Sequence, residues 1–344
     1  MRVGLIARGE DRGLGIQTWE WARHMRPDAV LLVGMGALAG TYPQHRGRYD
    51  AAATTCVEFD GHRFRDPATV RAWLDTVDVI YCAETWYDER LPHWCHAAGV
   101  RLVCHVNPEF WRWPGEQLPA VRWWLPTSWR RGLLPDTARV VPVPVPLDRW
   151  PAPPVRTGPP VFLHVAGKRA AGDRNGTSLL LAALGRTRQH MVVRVVTQDA
   201  RLPAARLARG VELERTTGGV VDYWRLYDDA DALVMPRRYG GLCLPAHEAA
   251  GAGLGLAMTA ASPNQATWPC AALEVESWTT IQTPAGPVPM ANADPAHIAR
   301  VLDVLAADPL ERNGLAAAAR GWAERHSWAT LEPLVRSELE LACT

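Results

Sequence analysis

The residues best suited to chemistry stand between positions 239 and 248, which read YGGLCLPAHE. Gly240 and Gly241 carry no side chain, so their backbone N–H groups can approach an anion closely. A helical pattern follows at 246–252, and a helix N-terminus adds the positive end of its dipole beneath such an anion. Glu248 lies near the start of that helix, where a carboxylate accepts hydrogen bonds from ribose hydroxyls. The predicted nucleoside-diphosphate site consists of Tyr239, Gly240, Gly241, Leu242 and Glu248.

Two cations precede this stretch, after the predicted strand Val161–Val165. Lys168 follows the strand closely, and Arg174 stands before Gly176 and a predicted helix. On either side of an anion, they would stabilise the negative charge that develops on it, which is electrostatic catalysis without a metal ion. The alternative is that both are solvated side chains on a surface loop.

Carboxylates and a histidine stand at the ends of two predicted strands in the first half of the chain. Glu84 and Asp88 follow the strand Val77–Cys82, and His105 lies within the strand Val100–Val106. We expect Glu84 to act as general base towards an acceptor hydroxyl, or to orient the acceptor, because a carboxylate can do either. Asp88 and His105 are the reserve catalytic candidates, although a histidine inside an apolar strand is more often a core residue.

Tryptophan and arginine are concentrated in the segment Phe110–Arg131, FWRWPGEQLPAVRWWLPTSWRR. Interleaved aromatic rings and guanidinium groups suit stacking on sugars or nucleobases, together with phosphate contacts. The alternative is that half of these tryptophans belong to the core, with Trp123 and Trp124 facing opposite ways. The predicted acceptor-binding residues are Glu109, Trp111, Arg112 and Trp113.

The elements that would position these residues follow an α/β order. Short apolar runs alternate with helical segments, one of them over 221–228, and this predicts parallel sheets covered by helices on both faces. Functional loops then lie at the carboxyl ends of the strands. The proline-rich sequence over 140–160 precludes regular hydrogen-bonded structure and predicts a connector. We therefore expect one domain over 1–150, a second over 151–327 and a last helix over 328–344.

Composition argues against several classes of protein. Lysine and arginine total 37 against 36 acidic residues, so no strong global attraction to nucleic acid or an anionic membrane is expected. The seven cysteines show no CxxC pair and no metal-ligand spacing, which fits a reducing cytoplasm. No apolar run reaches the roughly 18 residues of a membrane span. We expect a cytoplasmic monomer or homodimer, and no metal site, because no Asp-x-Asp motif lies in the loops that would hold the nucleotide.

Together these motifs resemble those of GT-B glycosyltransferases of group 1, the family 4 type. In that family a strand ending in proline leads to an acidic residue, Gly-aromatic-Gly-Leu-Pro and a second glutamate that opens a helix. Here Pro236 ends the strand and Glu248 is the second glutamate, while Gly240 occupies the first acidic position and Leu242 the aromatic one. Ser327-Trp328 matches the family's Ser-Trp before its last helix.

The resemblance implies two Rossmann-like domains whose parallel sheets face a central cleft, with the helix over 328–344 packed back on the first domain. It implies a UDP- or GDP-linked sugar as co-substrate, no further cofactor, and transfer of a hexose or pentose to a hydroxyl with retention of configuration. Gly13 and Gly15, after the first strand, would approach the donor phosphates. A Rossmann oxidoreductase is disfavoured, because the third glycine and the acidic residue of a dinucleotide site are missing.

The sequence leaves the acceptor open. Gln17-Thr18-Trp19-Glu20 also looks like a segment of glycosyltransferase-like proteins encoded by tailed phages. A hydroxymethylated pyrimidine in phage DNA is therefore one candidate, with Arg237-Arg238 and the Trp/Arg segment gripping phosphates. A small molecule, a glycan or a protein is the other candidate. Because Gly240 leaves the acidic pair incomplete, a non-catalytic GT-B scaffold that binds a nucleotide is an alternative function, and a sugar-nucleotide epimerase is a third.

Overall fold

The chain folds into two compact units. The computed structural model describes residues 1–10, 12–34, 46–110, 118–151, 158–167, 172–218, 220 and 222–344. One unit comprises Met1–Val143 with Leu331–Thr344, and the other comprises Pro144–Thr330. The sequence predicted divisions at 150 and 327, whereas the chain passes between the units after Val143 and after Thr330.

Strands and helices alternate in the first unit. Its central strands are apolar runs buried along their whole length, as expected of parallel strands that helices cover on both faces. The elements in chain order are β1 Val3–Arg8, α1 Gly13–Met25, β2 Ala29–Gly34, β3 Thr54–Glu58, α2 Pro67–Leu74, β4 Val79–Ala83, α3 Leu91–Ala97, β5 Arg101–His105, β6 Val121–Leu125 and β7 Arg139–Val140.

These strands form a sheet in the order β3-β2-β1-β4-β5-β6-β7, and every neighbouring pair in it is parallel. The direction of winding reverses at β1, which pairs with β2 on one side and with β4 on the other. Ligands of doubly wound sheets bind outside the carboxyl ends of the strands at such a reversal. The loops after β1 and β4 are therefore the natural place for a ligand in this unit.

The second unit repeats this architecture. Aspartates begin its long C-terminal helices: Asp294 accepts from the N–H groups of Ala296 and His297, and Asp308 accepts from those of Leu310 and Glu311. The elements are β8 Val161–Gly167, α4 Thr177–Ala183, β9 Met191–Thr197, β10 Val211–Thr217, β11 Ala232–Met235, α5 Leu244–Gly251, β12 Gly255–Thr259, α6 Asn264–Thr267, β13 Ala271–Leu273, β14 Val275–Thr283, β15 Gly286–Ala293, α7 Pro295–Ala307, α8 Pro309–Arg325 and α9 Trp328–Cys343.

The second sheet has the order β10-β9-β8-β11-β12-β13, again with parallel neighbours throughout. Its winding reverses between β8 and β11, so the loops that follow these two strands lie side by side. The predicted α/β class with two parallel, Rossmann-like sheets is confirmed. The predicted cleft between the sheets stays a prediction. No helix in the described part of the chain is long and apolar enough to cross a membrane.

An antiparallel hairpin of β14 and β15 interrupts the alternation of the second unit. Val288 and Met290 of β15 are buried, whereas Trp278 of β14 is 57% exposed. Pro287 and Pro289 of β15 have no N–H group, so a further strand could not form a regular ladder along that strand. The sequence analysis did not predict this hairpin.

Other local predictions differ from the structure. The helix predicted over 221–228 is a 3-10 turn, Tyr223–Tyr227, among its described residues. The Trp/Arg segment contains β6, in which Trp123 and Trp124 are both buried. Trp123 contacts Trp86 on one side of the sheet, and Trp124 contacts Tyr81 on the other. These two tryptophans therefore belong to the core and not to an acceptor surface.

Gly15 is in close contact with the backbone of the loop between β1 and α1. It lies inside the first turn of α1, where an added Cβ would stand 1.9 Å from the carbonyl oxygen of Glu10. That oxygen belongs to the backbone and cannot move away without reshaping the loop. Gly15 is thus required by the packing of the loop after β1, whatever else it binds.

We expect Gly15→Ala to lower the free energy of unfolding by more than about 2 kcal/mol, because the overlap can be relieved only by backbone movement. Gly314→Ala is the matched control, since Gly314 lies exposed in α8 with open space at its Cβ position. Alanine is the better helix former there and should stabilise by about 0.5–1 kcal/mol. Urea unfolding of both variants measures the difference, and equal effects would contradict the assignment.

Candidate functional site

The N-terminus of α5 lies directly after the loop that follows β11. Cys243 is its N-cap residue and makes no side-chain hydrogen bond to the helix, and the first turn contains no acidic residue. Pro245 also lies in that turn and has no N–H group of its own. The positive end of this helix therefore has no carboxylate in its own first turn, which is the arrangement that favours an anion.

Gly240 and Gly176 shape the loops beside this helix end. Gly240 has φ +121°, a conformation that side chains rarely adopt, so a glutamate at this first acidic position would be strained. At Gly176, φ is +71° and an added Cβ would lie 2.0 Å from the carbonyl oxygen of Pro236. The loops after β8 and β11 are thus in direct backbone contact. A hydrogen bond also joins them, from the N–H of Arg238 to the carbonyl oxygen of Arg174 at 2.8 Å.

Glu248 lies in α5 and is 6% exposed. The Tyr227 hydroxyl donates a hydrogen bond to Oε2 of Glu248. Burial raises the pKa of Tyr227 well above its ordinary value, and the neighbouring Glu248 charge raises it further, so the phenol stays a donor. Trp150 packs edge-on against Tyr227 at 5.8 Å and donates through Nε1 to the carbonyl oxygen of Trp224. The carboxylate is thus held in a fixed orientation.

The loop between β8 and α4 contains the predicted cations. Lys168 lies outside the described residues. Asp173 accepts from the N–H groups of Thr177 and Ser178 and so caps α4. Asn175 donates to the carbonyl oxygen of Ala166 at 3.1 Å, which folds the loop back on β8. Hydrogen bonds of Asp173 and Asn175 therefore hold the backbone on both sides of Arg174 in place.

Two buried histidines connect these strands and helices. His164 Nδ1 lies 2.8 Å from the carbonyl oxygen of Val234, which can only accept, so Nε2 accepts from the Thr177 hydroxyl at 2.9 Å. His247 Nδ1 lies 3.1 Å from the carbonyl oxygen of Cys243. Burial lowers the pKa of both imidazoles, to about 4 for His247. Both are neutral at pH 7 and serve the packing of the loops.

In the first unit, Glu84 follows β4 with φ +64°, which is unusual for a residue with a side chain. The N–H of Glu84 donates to the carbonyl oxygen of His105 at 2.8 Å, and its Oε2 accepts from Asn107 Nδ2 at 3.3 Å. Tyr87, three residues further on, also has a positive φ of 69°. Strain of this kind persists where the surroundings impose it, and it gathers at functional sites.

Asp88 is fully buried, and its carboxylate is occupied. Oδ1 accepts from Arg90 Nε at 2.9 Å, and Oδ2 accepts from Arg90 Nη2 at 2.6 Å and from the N–H of Phe64 at 3.0 Å. Burial alone would raise the pKa of Asp88, but the bonds from Arg90 and the backbone lower it on balance. A carboxylate so fully paired is suited to holding the loop after β4.

His105 is buried among aromatic rings, with Nδ1 2.9 Å from the Tyr81 hydroxyl. Tyr81 is stacked on Trp21, their ring centres 4.6 Å apart. Burial lowers the pKa of His105 to about 4, although backbone groups oppose this. Glu109 is also fully buried, in the turn Pro108–Phe110. The other predicted acceptor-binding residues, Trp111, Arg112 and Trp113, lie outside the described residues.

Sequence reasoning missed Glu10, in the loop after β1. It is 3% exposed, and its Oε1 lies 2.7 Å from Nε of Arg8. Glu10, Arg8 and Glu84 all act electrostatically on the buried Tyr87 hydroxyl, whose pKa is raised chiefly by burial. A charged cluster thus occupies the winding reversal of the first sheet. An acidic residue just past an apolar strand was the available signal, the same one that identified Glu84.

Comparison with known proteins identifies the fold. The sequence matches no protein-family model and no curated protein sequence. Solved structures match along the whole chain: HepE of Anabaena in complex with UDP and glucose has 12% identity and a TM-score of 0.66, covering 99% of each chain. Sucrose-phosphate synthase from Thermosynechococcus elongatus has 15% identity and a TM-score of 0.64, covering 98% of each. WaaG, a glycosyltransferase involved in lipopolysaccharide biosynthesis, has 15% identity and a TM-score of 0.59, covering 98% of this chain and 99% of that one.

The chain has the GT-B fold. Of the residues predicted to bind a donor, Arg174 lies on the loop after β8, and Glu248 lies in α5. The loop after β11 contains Tyr239, Gly240, Gly241 and Leu242, and all of these residues belong to the second unit. Gly13 and Gly15 form the first turn of α1 in the first GT-B unit. Among the described residues, no group of three or more His, Cys, Asp and Glu side chains could hold a metal ion.

The buried histidines of this GT-B chain predict a loss of stability in mild acid. The folded pKa values of His105 and His247 lie near 4, below the ordinary 6.5. The unfolded chain therefore binds protons that the folded chain excludes. Above pH 6.5 the histidines do not lower the free energy of unfolding. Between pH 6.5 and 4 the free energy of unfolding falls by about 1.4 kcal/mol per pH unit for each histidine. Urea unfolding at pH 7.5 and pH 5 measures this. In His105→Gln the loss at pH 5 should be smaller by about 2 kcal/mol, and an unchanged loss would contradict the assignment.

Proposed function

We propose that the protein is a glycosyltransferase that moves a hexose or pentose from a nucleoside-diphosphate sugar to an acceptor hydroxyl. The observation that carries this proposal is the N-terminus of α5, which follows Gly240 and Gly241 and has no carboxylate in its first turn. In a GT-B fold this helix end lies beside the loop that presents Arg174. HepE, which is similar along its whole length, has been seen with UDP-glucose, so UDP-glucose is the donor that we propose first.

The diphosphate would be held by α5, Lys168 and Arg174. Backbone N–H groups and guanidinium nitrogens are donors, and in a fixed arrangement they stabilise the charge that builds up on the departing UDP without reorganising. This part of the proposal makes the reaction independent of a metal ion. Gly13 and Gly15, which the resemblance also assigns to the donor phosphates, belong to the first unit.

The sugar and ribose hydroxyls would donate hydrogen bonds to the carboxylate of Glu248. Its carboxylate is oriented by the Tyr227 hydroxyl and is buried, which strengthens any further hydrogen bond that it accepts. Gly240 offers no second carboxylate, so contacts on the other side of the sugar must come from Tyr239, Gly241 and Leu242. From the resemblance around Glu248 we also propose that the transfer retains the anomeric configuration of the sugar.

We propose that Glu84 acts on the acceptor hydroxyl and that Glu10 and Arg8 form its charged surroundings. Glu84 lies at the winding reversal of the first sheet, in a strained conformation, and Asn107 orients its carboxylate. Such a carboxylate can take the acceptor proton or hold the acceptor hydroxyl in line. Asp88 and His105 would act on the loop and on the core rather than on the substrate.

For the acceptor we favour a small molecule, a glycan or a protein over DNA. Arg237 is 3% exposed, and Arg238 donates to Gly172 and Asn292 of its own unit, so neither guanidinium is presented to a DNA backbone. The formal net charge of +1 is also low for a DNA-binding enzyme. A gel shift of duplex DNA that is lost with rising salt would reverse this preference.

Donor binding is tested by thermal unfolding in a panel of sugar nucleotides, with UDP-glucose first. A ligand at 100 times its Kd adds about 2.7 kcal/mol to the free energy of unfolding. Glu248→Gln should keep the fold and lose most of this gain, whereas Glu311→Gln at the exposed start of α8 should keep it. If no sugar nucleotide stabilises the protein, the proposed function is wrong. Binding without release of UDP would instead indicate the non-catalytic scaffold.

Glu84→Gln tests the acceptor side. We expect the rate of UDP release in the presence of acceptor to fall by about 10²–10⁴-fold, the usual contribution of a general base. Donor affinity should be unchanged, because Glu84 is not among the residues that we propose to hold the donor. Glu89→Gln is the control, since Glu89 is an exposed carboxylate five residues away along the chain. Undiminished turnover in folded Glu84→Gln would remove Glu84 from the mechanism.

A further inference from the structure

The hairpin of β14 and β15 is attached to the loops that are proposed to hold the diphosphate. It packs through its buried side on the loop after β8. At Gly172, where φ is +79°, an added Cβ would lie 2.5 Å from Ile281 Cδ1 and 3.2 Å from Met290 Sδ. The hairpin and this loop are therefore in contact with no space for a side chain between them.

Arg238 joins the hairpin to both loops. Its Nη1 donates to the carbonyl oxygen of Gly172, and its Nη2 donates to Oδ1 of Asn292 in β15. Its backbone takes part as well: the N–H donates to the carbonyl oxygen of Arg174 at 2.8 Å, and the carbonyl oxygen accepts from the N–H of Ala291 at 2.9 Å. Arg238, itself in the loop after β11, therefore makes four hydrogen bonds to two other segments, the loop after β8 and strand β15.

The geometry of the guanidinium explains why arginine stands here. Arginine presents its N–H groups in a rigid, planar fork, so two acceptors on different segments are held at a fixed separation. Lysine carries a single ammonium group on a flexible stem and cannot impose that separation. Asn292 in turn donates through Nδ2 to the Ser277 hydroxyl at 3.1 Å, which fixes its amide across the hairpin.

We propose that Arg238 is a positioning residue for the donor site and that the β14–β15 hairpin is the support through which it acts. This proposal rests on the proposed function. Arg238 would not contact the donor. With Asn292 it would hold the Gly172–Arg174 loop at the distance from α5 that a diphosphate requires. Preorganisation of this kind increases affinity because the loop need not be ordered when the ligand binds.

The test compares Arg238→Lys, Asn292→Ala, Asn292→Asp and Ser277→Ala, with UDP as the ligand in calorimetric titrations. Arg238→Lys and Asn292→Ala should each raise the Kd for UDP by about tenfold, although Asn292 is a hairpin residue outside the proposed donor site. Asn292→Asp keeps an acceptor for Nη2 and should restore the affinity. Ser277→Ala, which removes the bond on the other side of Asn292, should leave it near that of the wild type.

Hydrogen exchange of the peptide over 172–178, measured without UDP, separates this inference from the proposed function. Exchange there should be faster in Arg238→Lys and Asn292→Ala and unchanged in Ser277→Ala. If the wild type binds no UDP but exchange changes in this way, the proposed function fails and the coupling of hairpin and loop stands. Unchanged exchange and unchanged Kd in Asn292→Ala would overturn the inference. A raised Kd in Arg238→Lys alone would overturn it too, because Arg238 would then contact the donor directly.

Discussion

The second unit depends on a contact in which there is no room for a side chain, between Gly176 and the carbonyl oxygen of Pro236. It brings the loop after β8 against the loop after β11, at the edge where the sheet changes its direction of winding. Beside this approach the N–H of Arg238 donates to the carbonyl oxygen of Arg174, and Gly240, which also has a positive φ, leads towards the start of α5. In the proposed function a diphosphate would lie at this edge, where the N-terminus of α5 and Arg174 would stabilise its two adjacent negative charges.

The first unit has the same winding reversal, but different side chains lie at that edge of its sheet. Its edge carries carboxylates, among them Glu10 and Glu84, whereas the corresponding edge of the second unit carries a helix N-terminus and arginines. In the proposed function the first edge would bind the acceptor hydroxyl and the second edge the donor phosphates, although the two sheets have nearly the same topology.

The sequence predicted the central strands and the long helices because apolar periodicity and proline-rich breaks are local signals. It also led to the GT-B fold through the residues around Pro236 and Glu248. It did not reveal the hairpin, whose β14 alternates polar residues with few apolar ones, and it left open whether the tryptophans of β6 belong to the core or to an acceptor surface. Tryptophans 123 and 124 look alike in sequence whether they stack on a ligand or on Trp86 and Tyr81. Contacts between distant segments, such as those of Arg238, decide these cases.

The first unit is assembled from two pieces that are far apart in sequence. Residues 331–344, which include most of α9, complete it: Val335, Leu339 and Ala342 are buried, and Glu338 accepts from Arg139 at 2.9 Å. The second unit is continuous from Pro144 to Thr330. During synthesis on the ribosome, residues 1–143 are therefore made before the second unit, whereas residues 331–344, which complete the core of the first unit, are made after it. The core of the first unit can be completed only once the whole of the second unit has been translated.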